Sequence, residues 1–131
     1  MHSARNPFTL DIFGLPSDPL SALDLVLAAT LTAAGVGHVM LTPLFYRHES
    51  ALNQVWFAGS GLGLTFLGML NLTRVRSGDA TARGLSRVAN PAGALFLAVV
   101  AARLRDPQTF AALALSLGLT GLALRPSKAK A

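Results

Sequence analysis

The side chains able to do chemistry near neutral pH are few in this chain: three histidines, six carboxylates and no cysteine. The absence of cysteine excludes disulfides, thiolate nucleophiles, and zinc or iron–sulfur centres held by thiolates. Histidine carries protons and ligates metals or haem, so His38 and His48, the latter beside Glu49, are the first candidates for a site. Their spacing argues against a metal. Neither His-x-x-x-His nor His-x-x-Glu-His occurs, and on a helix the adjacent His48 and Glu49 diverge by about 100°. A lysine-bearing phosphate loop and a serine nucleophile elbow are also missing, so no cofactor is expected and the residues favour a non-enzymatic role over an enzymatic one.

The remaining candidates are polar residues set in strongly apolar surroundings. They fall into two groups: Asp24, Asn71, Arg87 and Asn90 in one, and His38, Asn53, Gln54 and Trp56 in the other. The apolar segments around them decide what each group can do.

Hydrophobic residues make up 52% of the chain and charged residues 13%, about half the charged share of a soluble domain. Four runs meet or approach the ~20 residues needed to cross a bilayer. They cover 20–42, 51–72, 85–103 and 108–124, and the last is at the short limit. Buried helices of a soluble protein would need polar faces toward water, and no polar stripe of 3.6-residue period is visible. The expected fold is therefore all-α, a single integral membrane four-helix bundle with both termini on the same side.

Local signals support these boundaries. Asp18-Pro19 and Asp106-Pro107 each put a capping carboxylate ahead of a proline suited to a first helical position. Glu49-Ser50 serves before the second run, and Pro43 marks the end of the first. Asn90-Pro91 predicts either a helix start or a kink in the third. The segment 73–84 reads as a polar, basic link outside the bilayer. A secretory signal peptide is not expected, because the first run is too long for an h-region and two acidic residues precede it. Residues 1–19, with Phe8, Leu10, Ile12, Phe13 and Leu15, read as an interfacial lead-in.

With four spans, eight of the eleven basic residues share one side: Arg5, Arg74, Arg76, Arg83, Arg87, Arg125, Lys128 and Lys130. Arg47, Arg103 and Arg105 fall on the other. The positive-inside rule then predicts an inner-membrane protein with both termini in the cytoplasm. The basic residues carry no aromatic interleaving, so the high isoelectric point implies anionic lipid headgroups rather than nucleic acid.

Small residues four apart predict the packing faces: Ala29, Ala33 and Gly37; Gly59 and Gly63; Ala94, Ala98 and Ala102; Ala112, Ser116 and Thr120. The glycine-rich Gly59-Ser60-Gly61-Leu62-Gly63 suggests that the second helix is approached from more than one side, in the bundle or by a second copy.

On this plan Asp24, Asn71, Arg87 and Asn90 form a candidate polar cluster toward the cytoplasmic leaflet. Asp24 and Arg87 are at similar depth and predict an ion pair, the alternative being that each snorkels to the interface. His38, Asn53, Gln54 and Trp56 form a candidate polar pocket open to the outer face, where Tyr46 and Trp56 also suit an aromatic belt.

In length and hydropathy plan the chain resembles small four-span bacterial membrane proteins, including the DoxX-like size class. It departs from small multidrug transporters, which need a glutamate embedded in the first helix, since its one glutamate is Glu49 in a loop. The function expected is non-enzymatic binding of a membrane partner or a small lipophilic ligand in the bilayer. A homo-oligomeric transporter or channel is the second reading, a subunit role in a larger membrane complex remains compatible with the first, and an enzyme acting on lipid or quinone is the third.

Overall fold

A computed structural model describes Pro16 and residues 18–125. Four helices follow one another: α1 (Pro19–Phe45), α2 (Ala51–Ser77), α3 (Ala80–Leu104) and α4 (Pro107–Ala123). The first three are long and apolar enough to cross a membrane, whereas α4, at 17 residues, is shorter. The lead-in segment 1–15, Arg5, Lys128 and Lys130 lie outside the described residues.

Each helix starts on a side-chain cap that satisfies an otherwise orphaned N–H. Asp18 accepts from Ser21 N at 3.0 Å, Ser50 from Asn53 N at 3.2 Å, Asp79 from Ala82 N at 2.7 Å, and Asp106 from Thr109 N at 2.8 Å. The Asp79 cap corrects the expected polar link. Helix α2 runs on to Ser77, α3 begins at Ala80 rather than near 85, and the connection shrinks to Gly78 and Asp79. Gly78 adopts the left-handed conformation (φ 62°), which glycine reaches without a Cβ penalty, and so closes α2 in one residue. Pro43 differs from expectation, and Pro91 does not mark the start of its helix. Pro43 sits inside α1, which continues to Phe45, and Pro91 lies within a continuous α3.

Side-chain contacts run antiparallel between successive helices, as short connections require. The closest pair is α1 with α2, where glycine lets the backbones approach. A Cβ on Gly35 would lie 2.7 Å from the Gly61 carbonyl oxygen, one on Gly61 would lie 2.8 Å from Val39 Cγ2, and one on Gly68 would lie 2.6 Å from Thr32 N. This face is not the one predicted. Ala29, Ala33, Gly59 and Gly63 are exposed, and a Cβ on Gly37, Gly59 or Gly63 would meet nothing within 4 Å. Four-residue spacing occurs on two faces of each of these helices, and only the neighbour selects between them. On α3 the buried row is Ala94, Leu97 and Ala101, with Ala98 and Ala102 exposed. On α4, Ser116 is buried, with Ala112 and Thr120 half-buried.

The apolar interior is small. Ala28, Leu31 and Leu119 are fully buried, flanked by Leu27, Leu64, Leu67, Leu72 and Leu115. Many larger apolar side chains face outward, among them Val55, Trp56, Phe66, Val88, Leu95 and Phe96. A surface of this kind suits hydrocarbon, and it leaves polar contacts and close packing to hold the helices together.

Candidate functional site

Four buried polar side chains occupy one layer, at the end where α1 and α3 begin and α2 and α4 finish. Asp24 is on the second turn of α1, Arg74 and Asn71 are three residues apart near the end of α2, and Asn90 is midway along α3. The 3.6-residue repeat puts Asn71 and Arg74 on one face of α2. Arg74 grips Asp24 in a fork: Nη1 donates to Oδ2 at 2.9 Å and Nη2 to Oδ1 at 2.6 Å. Both residues are at least nine-tenths buried, so the pair is sheltered from screening.

Asn71 joins this pair to the other helices. Its Oδ1 accepts from Arg74 Nε at 3.2 Å, from Arg74 Nη2 at 2.9 Å and from Asn90 Nδ2 at 2.9 Å. Its Nδ2 donates to Asn90 Oδ1 at 2.7 Å and to the Leu67 carbonyl at 2.8 Å. Asn90 then donates to the Leu119 carbonyl at 3.2 Å, which brings in α4. The layer thus ties all four helices, and each of its polar side chains is satisfied by another member or by helix backbone. Such a layer confers position and register; its groups are not free to take up a ligand.

Asp24, Asn71 and Asn90 therefore come together, but the cation among them is Arg74, not Arg87. The Arg87 guanidinium turns to the end of α4, where Nε donates to the Ala123 carbonyl at 3.2 Å and Nη2 lies 3.5 Å from the Arg125 carbonyl. There it meets the unpaired carbonyls and negative dipole end of a helix, which suits a cation. Arg125 contributes a weaker second charge to Asp24, at 3.9 Å. Reading 73–84 as a loop hid Arg74; its i, i+3 relation to Asn71 was the signal available. Alongside this layer, the hydroxyls of Ser86 and Ser116 are buried without a hydrogen-bond partner.

The opposite end is built differently. His38 stacks on Phe57, with ring centroids 3.6 Å apart and planes at 22°, and Tyr46 lies against Phe57 at 3.7 Å and 31°. Around these rings is a cavity of about 320 Å³, lined by His38, Leu41, Phe45, Tyr46, Phe57 and Gln108. Burial pushes the Tyr46 phenol above its ordinary value, and the Asp106 and Glu49 carboxylates push it further, so it stays protonated and able to donate.

Of the four residues predicted here, only His38 lines this cavity. Asn53 donates to Glu49 Oε2 at 3.0 Å and Gln54 to the Glu49 carbonyl at 3.1 Å, so both fasten the start of α2. Trp56 is 71% exposed on the outer surface of α2. Phe57, Tyr46 and Gln108 were missed because they come from three different segments. Among the described residues no group of three or more His, Asp or Glu side chains is placed to hold a metal ion.

Comparison with family models, with curated proteins and with solved structures gives no match for this chain.

Proposed function

We propose that the protein is a four-span inner-membrane protein with both termini in the cytoplasm, which acts without catalysis by binding a small lipophilic molecule at its His38 end. The observation that carries this reading is the contrast in polar satisfaction. The Asp24–Arg74 layer is closed on itself, while the His38 end offers aromatic walls and polar groups around a cavity. Supporting a bilayer setting are the outward-facing Val55, Trp56, Phe66 and Leu95 and the helix lengths. Supporting the orientation is the excess of basic residues at the end where α2 meets α3.

A second reading, a homo-oligomeric transporter, is favoured by one feature. The exposed Gly59 and Gly63 are four residues apart on α2 with open space above them, a face that would admit a second copy's backbone. Native mass measurement in mild detergent separates the two. A monomer carrying lipophilic adducts supports ligand binding. A stable homo-oligomer abolished by Gly59→Leu with Gly63→Leu supports transport, and co-purification within a larger membrane complex points to an accessory subunit. Reporters fused to each terminus test the orientation, and reporters on opposite sides would overturn it.

A further inference from the structure

Resting on the ligand-binding reading, we propose that the cavity at the His38 end takes an uncharged, ring-bearing lipophile with hydrogen-bonding oxygens, of the phenol or quinone class. Its size comes first. A volume of about 320 Å³ is at the lower bound for small-molecule sites, which suits one or two fused rings rather than a lipid tail. The walls supply the apolar contact: Phe45, Leu41 and the rings of His38, Phe57 and Tyr46. The Phe57 face is already covered by its neighbours, so a ligand ring would meet ring edges and aliphatic groups.

Charge selects the class. No residue lining the cavity carries a formal charge at neutral pH when His38 is neutral. In the nearby turns Asp106 accepts from the Thr109 hydroxyl and backbone, Glu49 accepts from Asn53, and Arg47 Nε donates to His48 at 2.9 Å; none of these, nor Arg103 and Arg105 at the α3–α4 turn, lines the cavity. Within the lining itself a charged group would have no opposite charge to pair with, and leaving water unpaired is costly. Three neutral polar side chains remain. The His38 imidazole, the Tyr46 hydroxyl and the Gln108 amide form no hydrogen bond to another described residue, and all three line the cavity. Together they supply donors and acceptors suited to ring hydroxyl or carbonyl oxygens. Exposed Leu41 and Phe45 beside the cavity give a lipophile a route from the hydrocarbon side.

The test is a titration of histidine-ring-labelled full-length protein in lipid nanodiscs, followed by NMR, with 2-naphthol as probe and naphthalene as its oxygen-free control. A saturable shift of the His38 signal is expected, with His48 unmoved, and naphthalene should bind about tenfold more weakly for the loss of one or two hydrogen bonds. Gln108→Leu should weaken naphthol by a similar factor while leaving naphthalene unchanged, a pattern that misfolding would not produce. A linear shift shared with His48, or equal binding of both probes, overturns the proposal. A saturable His38 shift with extracted membrane lipids but not with naphthol also overturns the proposed class, while the broader reading of a lipophile site survives. Neither a monomeric mass nor terminus orientation depends on this titration, so failure of the membrane reading is seen separately.

Discussion

The two ends of the molecule use polar side chains to opposite effect. At the Asp24 end, two amides, a carboxylate and a guanidinium are buried and bonded to one another across four helices. At the His38 end, the imidazole, phenol and amide surround a cavity without bonding to one another, and the nearby Asp106 and Glu49 carboxylates serve as a cap and a turn tie. The difference teaches where to look for stability and where to look for recognition. A closed polar layer in a setting without a hydrophobic drive between helices stabilises the fold. An open set of polar groups has hydrogen-bonding capacity left for something else.

The comparison breaks most readily at Asp24. Asp24→Ala leaves Arg74 buried and unpaired, and should cost about 3–5 kcal/mol in reversible unfolding in mild detergent. Replacing both partners, with Asp24→Leu and Arg74→Met, should recover most of that loss. A double variant as unstable as the single one would mean that the ion pair itself, rather than the stranded charge, dominates. Next in size is Asn90→Leu, which strips Asn71 of its reciprocal amide partner and frees the Leu119 carbonyl; about 1–3 kcal/mol is expected in the same assay. Gly68→Val probes the close α1–α2 approach against Thr32 and should cost a comparable 1–3 kcal/mol, roughly, by overpacking.

Effects at the His38 end should be smaller. Asp106→Ala removes the α4 cap for about 1 kcal/mol, while Asp106→Asn keeps it. The Thr109 hydrogen bonds hold the Asp106 carboxyl below its ordinary value of 3.8. Its contribution is therefore present above that value and is lost as pH falls through the lowered folded pKa. Protection factors for amide exchange in the first turn of α4 should fall below about pH 4 in the parent chain, and the Asn variant should lose this acid dependence. Of similar size, His38→Gln should cost no more than the ring contact, about 0.5–1.5 kcal/mol. A large loss there would make the His38 end structural and erase the contrast.

Much of this architecture is legible locally, and what is not legible depends on neighbours. The starts of α1, α2 and α4 follow from Asp18, Ser50 and Asp106, because a cap acts over three residues of its own chain. The start of α3 was obscured by the arginines around it, although Gly78-Asp79 spells a helix stop followed by a helix start. Helix faces are harder to read. Gly37, Gly59 and Gly63 are as small as Gly35, Gly61 and Gly68 and lie on the same two helices, and only the approach of α1 to α2 distinguishes them. The polar groups show the same division. Asp24, Asn71 and Asn90 stand out as costly residues at similar depth, but their cation was hidden in a segment read as loop. The cavity residues Tyr46, Phe57 and Gln108 are ordinary in isolation and acquire meaning only through the fold.

The shortness of α4 has a further consequence in a bilayer. At 1.5 Å per residue its 17 residues span about 25 Å, against about 40 Å for α1 and α2 and a hydrocarbon layer of ~30 Å. On the four-span reading the protein is thus a wedge, with a long flank and a short one. Lipid against α4 must thin or its ends must be drawn inward, while lipid against α1 and α2 is met by tilt. On that reading a thinner bilayer relieves the mismatch at α4 and increases it at α1 and α2.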